Sequence, residues 1–160
     1  MTPDKPDPVI EHRAETLLAG TMQTYSMDRR DRIPAQWSAF FQSGIDIPGA
    51  MPGAHYGVSI DARPDGTFRY GVAVETDAPP ADLPEGICRM VLSAGDYAVL
   101  RRRGPVADLP AHFDWMFSTW LPGSGHRLRE GAVFERYPQD DAATPDAMAY
   151  EIWVPITRRD

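Results

Sequence analysis

Two stretches of the chain repeat apolar residues at helical spacing. In one, Ile33, Trp37, Phe40 and Phe41 recur behind Pro34, a residue suited to a first helical turn, and Gly44 follows at the expected end. In the other, Phe113, Met116, Phe117 and Trp120 fall at i, i+3, i+4 and i+7, so one face is apolar, and Leu121-Pro122-Gly123 is expected to stop the helix. The remaining apolar residues mostly alternate. Residues 55–60 and 67–75 are rich in Tyr, Val and Ile and flank Pro64-Asp65-Gly66, which predicts a hairpin. Residues 87–92 and 97–103 predict a second hairpin around Ala94-Gly95-Asp96, and 132–137 with 148–157 predict a third across the polar loop 138–147. Residues 77–86 have the Pro, Asp and Gly content of a loop. A first strand is expected from Val9, after residues 1–8, whose three prolines and two aspartates predict a flexible tail.

Read in order, these elements occur twice. IPAQWSAFF, from Ile33 to Phe41, is similar to LPAHFDWMF, from Leu109 to Phe117, at a constant offset of 76 residues. Tyr70-Gly71-Val72-Ala73-Val74 matches Tyr150-Glu151-Ile152-Trp153-Val154 at an offset of 80. A period near 80 is too long for a solenoid repeat and suits a duplicated domain whose halves share one core. The expected fold class is therefore α+β, with duplicated strand-helix-two-strand modules, residues 9–75 and 87–157, in pseudo-two-fold symmetry around a central ligand cleft.

Composition narrows the function. A chain of 160 residues can bury a core without disulfides or metals, so 9–157 is expected to be one domain. Sixteen Lys and Arg against 23 Asp and Glu leave a net charge of −7, the wrong sign for tracking phosphates, so no direct nucleic-acid partner is expected. Cys88 has no internal disulfide partner, and residues 1–10 lack the apolar run of a secretory leader, which points to the cytoplasm. Every apolar segment is broken by charges or prolines well short of the ~18 residues a spanning helix needs, so no membrane partner is expected either. His12, His55, His112 and His126 lack ligand-like spacing, and no Gly-rich phosphate cradle is present, so neither a metal nor a cofactor is expected. Gly123-Ser124-Gly125 follows a helix and reads as a loop, Arg101-Arg102-Arg103 as a solvated strand end, and Cys88 as a small buried hydrophobe.

Strand parity nominates a site. In the last strand Tyr150, Ile152, Val154 and Ile156 share one side and should meet the helices, leaving Glu151 and Trp153 opposite. If Phe134 likewise packs under a helix, Glu135 and Tyr137 join Glu151 and Trp153 on the far face. The far-face positions of the first half are then Gly57, Gly71 and Ala73, small residues set against carboxylates and rings, as a cavity would need. A carboxylate among aromatic rings suits an amphipathic, lipophilic cation. Trp115 and Trp120 complete the expected ligand contacts, Glu135, Tyr137, Glu151 and Trp153; the competing readings are a solvated Glu151 paired with Arg158 and Arg159, and Trp115 and Trp120 as helix-core residues.

The order of IPAQWSAFF, DGTFRYGVAVE, LPEG, LSAGDYAVLRRRG, FSTWLPGSG, VFERY and YEIWVPI resembles the GyrI-like small-molecule-binding domains, also found as effector-binding domains of AraC-type and MerR-type regulators. The resemblance implies a duplicated module with a pocket, in which the acidic residue of FERY, Glu135, faces cationic lipophilic ligands. It places Trp153 at the aromatic position of the final strand and Glu151 nearer the rim. Regulators of this kind carry a DNA-binding domain before the module, whereas eight residues precede the first expected strand here, so a stand-alone member is expected. Some stand-alone relatives resemble hydrolases of electrophilic toxins and others inhibit DNA gyrase. A sensing or sequestering role therefore ranks first, a hydrolase using Glu135 as general acid or base second, and a gyrase-interacting inhibitor third.

Overall fold

The computed structural model describes residues 8–144 and 146–159, so most of the expected tail, 1–7, lies outside the described residues. The strands are β1 Val9–Arg13, β2 Thr16–Ser26, β3 Ala54–Ile60, β4 Thr67–Glu75, β5 Cys88–Leu92, β6 Gly95–Gly104, β7 His126–Leu128, β8 Val133–Pro138 and β9 Met148–Arg158. Helix α1, Ile33–Ser43, follows a 3-10 turn and ends at Gly44, whose φ of 63° suits a residue without a Cβ. Helix α2, Leu109–Trp115, runs on through a π-helical turn, Met116–Trp120, to a last turn, Leu121–Gly123. The helix thus ends where Pro122 and Gly123 imply.

All pairing is antiparallel, in the order β1-β6-β9-β8-β3-β4-β2-β5, with β7 added beside β9. The hairpins β3–β4 and β8–β9 form as expected. The second expected hairpin does not. β5 pairs with β2 and β6 pairs with β1 and β9, so these two consecutive strands lie near opposite ends of the sheet. Gly95, at φ 144°, redirects the chain between them, and a Cβ there would run into the Arg129 guanidinium. The first expected strand is also two strands, β1 and β2, which pair with different partners.

The sheet curls. Leu18, Met90 and Leu92 of β2 and β5 share one buried cluster with Tyr97 and Val99 of β6, from the other end of the sheet, so a single inner core spans the concave face. Phe134 and Trp153 complete this inner core, their rings stacked at 5.4 Å. The outer face carries the helices. Ile33, Trp37 and Phe40 of α1 pack on Phe68, Tyr70 and Val72, while Phe113, Met116 and Phe117 of the second helix pack on Leu100, Ile152 and Val154. Fully burying a side chain such as Met116 or Ile152 contributes about 1.5–3 kcal/mol relative to exposure, and the half-buried helix residues contribute less. Gln36, buried on α1, ties its helix to the sheet by accepting from the Tyr25 hydroxyl at 2.9 Å and donating to the Thr21 and Tyr70 carbonyls. Because each helix covers its own half, the central β3–β8 seam is left open between them.

Candidate functional site

A cleft of about 1780 Å³ lies over that seam. Its floor follows from the β3–β8 register, which sets His55 opposite Tyr137, Gly57 opposite Glu135 and Ser59 opposite Val133. Directly opposed residues of an antiparallel pair share a face, so these side chains all point to the helix side. Trp37 and Phe41 of α1 form one wall, and Phe113 and Phe117 of the second helix the other. The Trp37 ring meets Tyr137 edge-on at 5.1 Å, and Phe41 meets His55 at 5.0 Å. At the rim, Arg30 reaches from the turn before α1 to Asp114 of α2, with Nη1 3.0 Å from Oδ1.

Glu135 sits at the centre, buried at 7% exposure. Tyr137 donates to its Oε1 at 2.8 Å and Tyr70 donates to the same oxygen at 2.9 Å. The Tyr70 hydroxyl accepts in turn from the Trp37 indole N–H at 3.0 Å. Burial pushes the Glu135 carboxyl up to about 7, against the opposing effect of the two phenol hydrogen bonds. The same burial, together with the neighbouring carboxylate, holds both phenols well above their ordinary range. His55 is held below its ordinary range by desolvation.

The structure brings Glu135 and Tyr137 together in the cleft and sends the other expected residues elsewhere. Phe134 lies on the inner face, stacked on Trp153, so parity turns Glu135 and Tyr137 toward the helices rather than away. The β8–β9 register agrees, with Glu135 opposite Ile152 and Arg136 opposite Glu151. Glu151 and Trp153 therefore face the inner core, on the side of the sheet away from the cleft. There the Trp153 N–H donates to Glu151 at 2.9 Å, while Arg101 and Arg136 donate to the same carboxylate and Arg13 lies 5.0 Å from the Trp153 ring. Arg101 rather than Arg158 or Arg159 is thus among the arginines that pair with Glu151. Trp115 and Trp120 pack against the α2 side of the sheet and do not line the cleft, Trp120 stacking on His126. Of the small residues, Gly57 faces the cleft, whereas Gly71 and Ala73 face inward, toward Met90 and the inner core. Cys88 is exposed on edge strand β5 rather than buried. Tyr70 went unassigned to the site, although its place two residues before Val72 in an alternating strand sets it on the helix face.

A profile of the GyrI-like small-molecule-binding domain matches residues 6–157. The chain belongs to that family. This GyrI-like domain is 27% identical over 152 residues to the transcriptional regulator BrlR of Pseudomonas aeruginosa, covering 92% of the chain and 54% of BrlR. It is 28% identical over 91 residues to the probable transcriptional regulator YgiV of Escherichia coli K12, covering 56% of each. The chain thus spans about half the length of these curated relatives. Among solved structures, SAV2435 bound to tetraphenylphosphonium shares the fold with a TM-score of 0.76 at 21% identity, over 94% of both chains. The EcmrR C-terminal domain does so with a TM-score of 0.69 at 12% identity, over 98% of this chain and 100% of that one. Among the described residues no helix is long and apolar enough to cross a membrane.

Proposed function

We propose that this GyrI-like domain binds amphipathic lipophilic cations in the cleft between its helices and acts as a cytoplasmic sensor or sequestering module. One observation carries the reading. Among the described carboxylates lining the cleft, Asp61 is paired with Arg69, Asp114 with Arg30 and Asp140 with Arg103, whereas Glu135 accepts hydrogen bonds from two phenols and, among the described residues, pairs with no cation. A buried carboxylate without a cation gains most from a ligand that brings one, and the surrounding aromatic walls favour positive charge as well. The ligand bound to SAV2435, a lipophilic phosphonium, is of this class. Glu135, Tyr137, Tyr70 and Trp37 are the proposed ligand contacts, with Glu151 and Trp153 supporting the floor from behind.

The sheet order also supports reading the two halves as copies. The central pair β3–β8 is flanked by β4, β2 and β5 on one side and by β9, β6 and β1 on the other, the same sequence of roles on each side with the edge strands β1 and β5 exchanged between residues 9–75 and 87–157.

A second reading has one observation in its favour. A carboxyl held near 7 is poised as general acid or base toward a reactive small molecule, so turnover is the alternative to simple binding. Thermal-shift screening of lipophilic cations and electrophilic compounds, with mass spectrometry of the ligand afterwards, separates the two. The proposal expects stabilisation by cations with the ligand recovered unchanged. A product would establish the enzyme, and no stabilisation by any cation would overturn binding.

A further inference from the structure

The two oxygens of Glu135 are not equivalent. Both phenols, Tyr70 and Tyr137, donate to Oε1. Among the described residues none donates to Oε2, although Glu135 lines the cleft. When the carboxyl takes up a proton, two donor hydrogens already occupy the Oε1 lone pairs, so the proton resides on Oε2. The neutral form is therefore an O–H donor directed into an aromatic cleft. In aromatic surroundings a hydrogen bond from this donor to a ligand acceptor is stronger than one made in bulk water, so the site gains from a ligand that supplies an acceptor.

We infer that the same cleft takes a second class of ligand, neutral lipophilic molecules carrying a strong hydrogen-bond acceptor such as a phosphoryl, sulfoxide or amide oxygen, bound through Oε2–H of Glu135. The inference rests on the cleft being the binding site proposed above and adds a ligand class to it. A cation binds the carboxylate and expels the proton, whereas a neutral acceptor binds the acid and captures one. The balance between the two classes is set by pH, because burial places the titration of Glu135 near neutrality.

The other groups facing Glu135 do not reproduce this behaviour. From β4 and β8, Tyr70 and Tyr137 are held well above their ordinary range and stay protonated donors. From α1, the Trp37 N–H is engaged by Tyr70. On the opposing floor strand β3, Ser59 carries no charge, and His55 is held below its ordinary range, so it gains charge only in acid. β9 presents Ile152. At the rim Asp114 is held by Arg30, and in the loop after β8 Asp140 is held by Arg103. A protonated His55 opposes cations and leaves a neutral ligand untouched by charge.

The test uses methyltriphenylphosphonium and triphenylphosphine oxide, which differ in a methyl cation against a neutral acceptor oxygen at one position. Calorimetric titration of each, at about pH 5.5 and about pH 8.5 and in two buffers of different protonation enthalpy, reads affinity and proton number together. The oxide should bind about thirtyfold more tightly at the lower pH, the ratio set by the protonated fraction of a carboxyl titrating near 7, and should take up protons at the higher pH. The cation should release protons on binding at the lower pH, where the carboxyl is mostly protonated. In Glu135→Gln the amide N–H donates at every pH, so the pH dependence of oxide binding should disappear, and any that remains for the cation belongs to His55. Oxide affinity that is the same at both pH values, while the cation still binds with proton release, overturns the second ligand class and leaves the cation reading intact. Failure of both ligands to bind overturns the cation reading and this inference with it. The wild-type proton counts alone decide the matter if the variant does not fold.

Discussion

Gly57 stands directly opposite Glu135 in the central pair of strands, and the absence of a side chain there is what lets the Tyr70 hydroxyl reach the carboxylate. A Cβ at this position would overlap the Tyr70 hydroxyl and stand 3.0 Å from Glu135 Oε1. Gly57→Ala should push the phenol ring aside and break the Tyr70 hydrogen bond. Overpacking of this kind destabilises by about 1–3 kcal/mol, which chemical denaturation can read. Stability equal to that of the wild type would mean that the Tyr70 ring moves freely and that the Tyr70–Glu135 contact is not built into the fold.

The carboxyl also makes stability depend on pH. Its folded value, about 7, lies above the ordinary 4.5, so the native state holds the proton more tightly than the unfolded chain does. The resulting stabilisation is full below about 4.5 and is lost as pH rises through about 7, amounting to about 3 kcal/mol. Glu135→Gln, which cannot titrate, should be more stable than the wild type above pH 7 and lose that advantage in acid. Tyr137→Phe removes a donor that favours the charged form, so the titration should move upward. Urea unfolding across the pH range checks both, and a wild-type profile parallel to that of Glu135→Gln would contradict the burial of an unpaired carboxylate.

The Arg30–Asp114 pair joins the two helices across the rim, yet its side chains are 39% and 54% exposed. Such pairs contribute about 0–1 kcal/mol. Arg30→Ala should therefore change stability little while leaving Asp114 unpaired beside the cleft. Cation affinity should rise a few-fold at low salt, and the gain should fade as salt screens the carboxylate. Unchanged affinity at low salt would place Asp114 too far from the bound charge to matter.

A net charge of −7 predicts that the chain will not retain duplex DNA in about 150 mM salt at micromolar concentration. Gel-shift assays check this, and a stable shifted band would show that local basic groups outweigh the overall charge.

Helix positions and the parity of single strands were legible because each depends on a local period. Ile33, Trp37 and Phe40 face the sheet as their spacing implies, and Tyr150, Ile152 and Val154 meet the second helix. The relation between strands was not legible, because register and face depend on partners distant in sequence. Phe134 could equally have packed under a helix, and its stacking on Trp153 is a tertiary choice that moved Glu135 to the cleft side and left Trp153 behind. The pairing of β5 with β2 was hidden for the same reason, since a short link containing a glycine reads as a hairpin when the rest of the sheet is out of view. Glu135 was nominated on an inverted face, from the FERY resemblance and the clustering of Phe134, Tyr137 and Trp153, and it lies in the cleft.

The central claim is that the charge of Glu135 selects the ligand. Calorimetric titration of the wild type and Glu135→Gln with methyltriphenylphosphonium and triphenylphosphine oxide at about pH 8.5 tests it directly. If the carboxylate stabilises the cation by the ~1.5–3 kcal/mol typical of a charged partner, the variant should lose about tenfold to a hundredfold in cation affinity and should not weaken toward the neutral oxide. Equal losses for both ligands, or no loss for the cation, would contradict the claim and make Glu135 a bystander in the cleft it occupies.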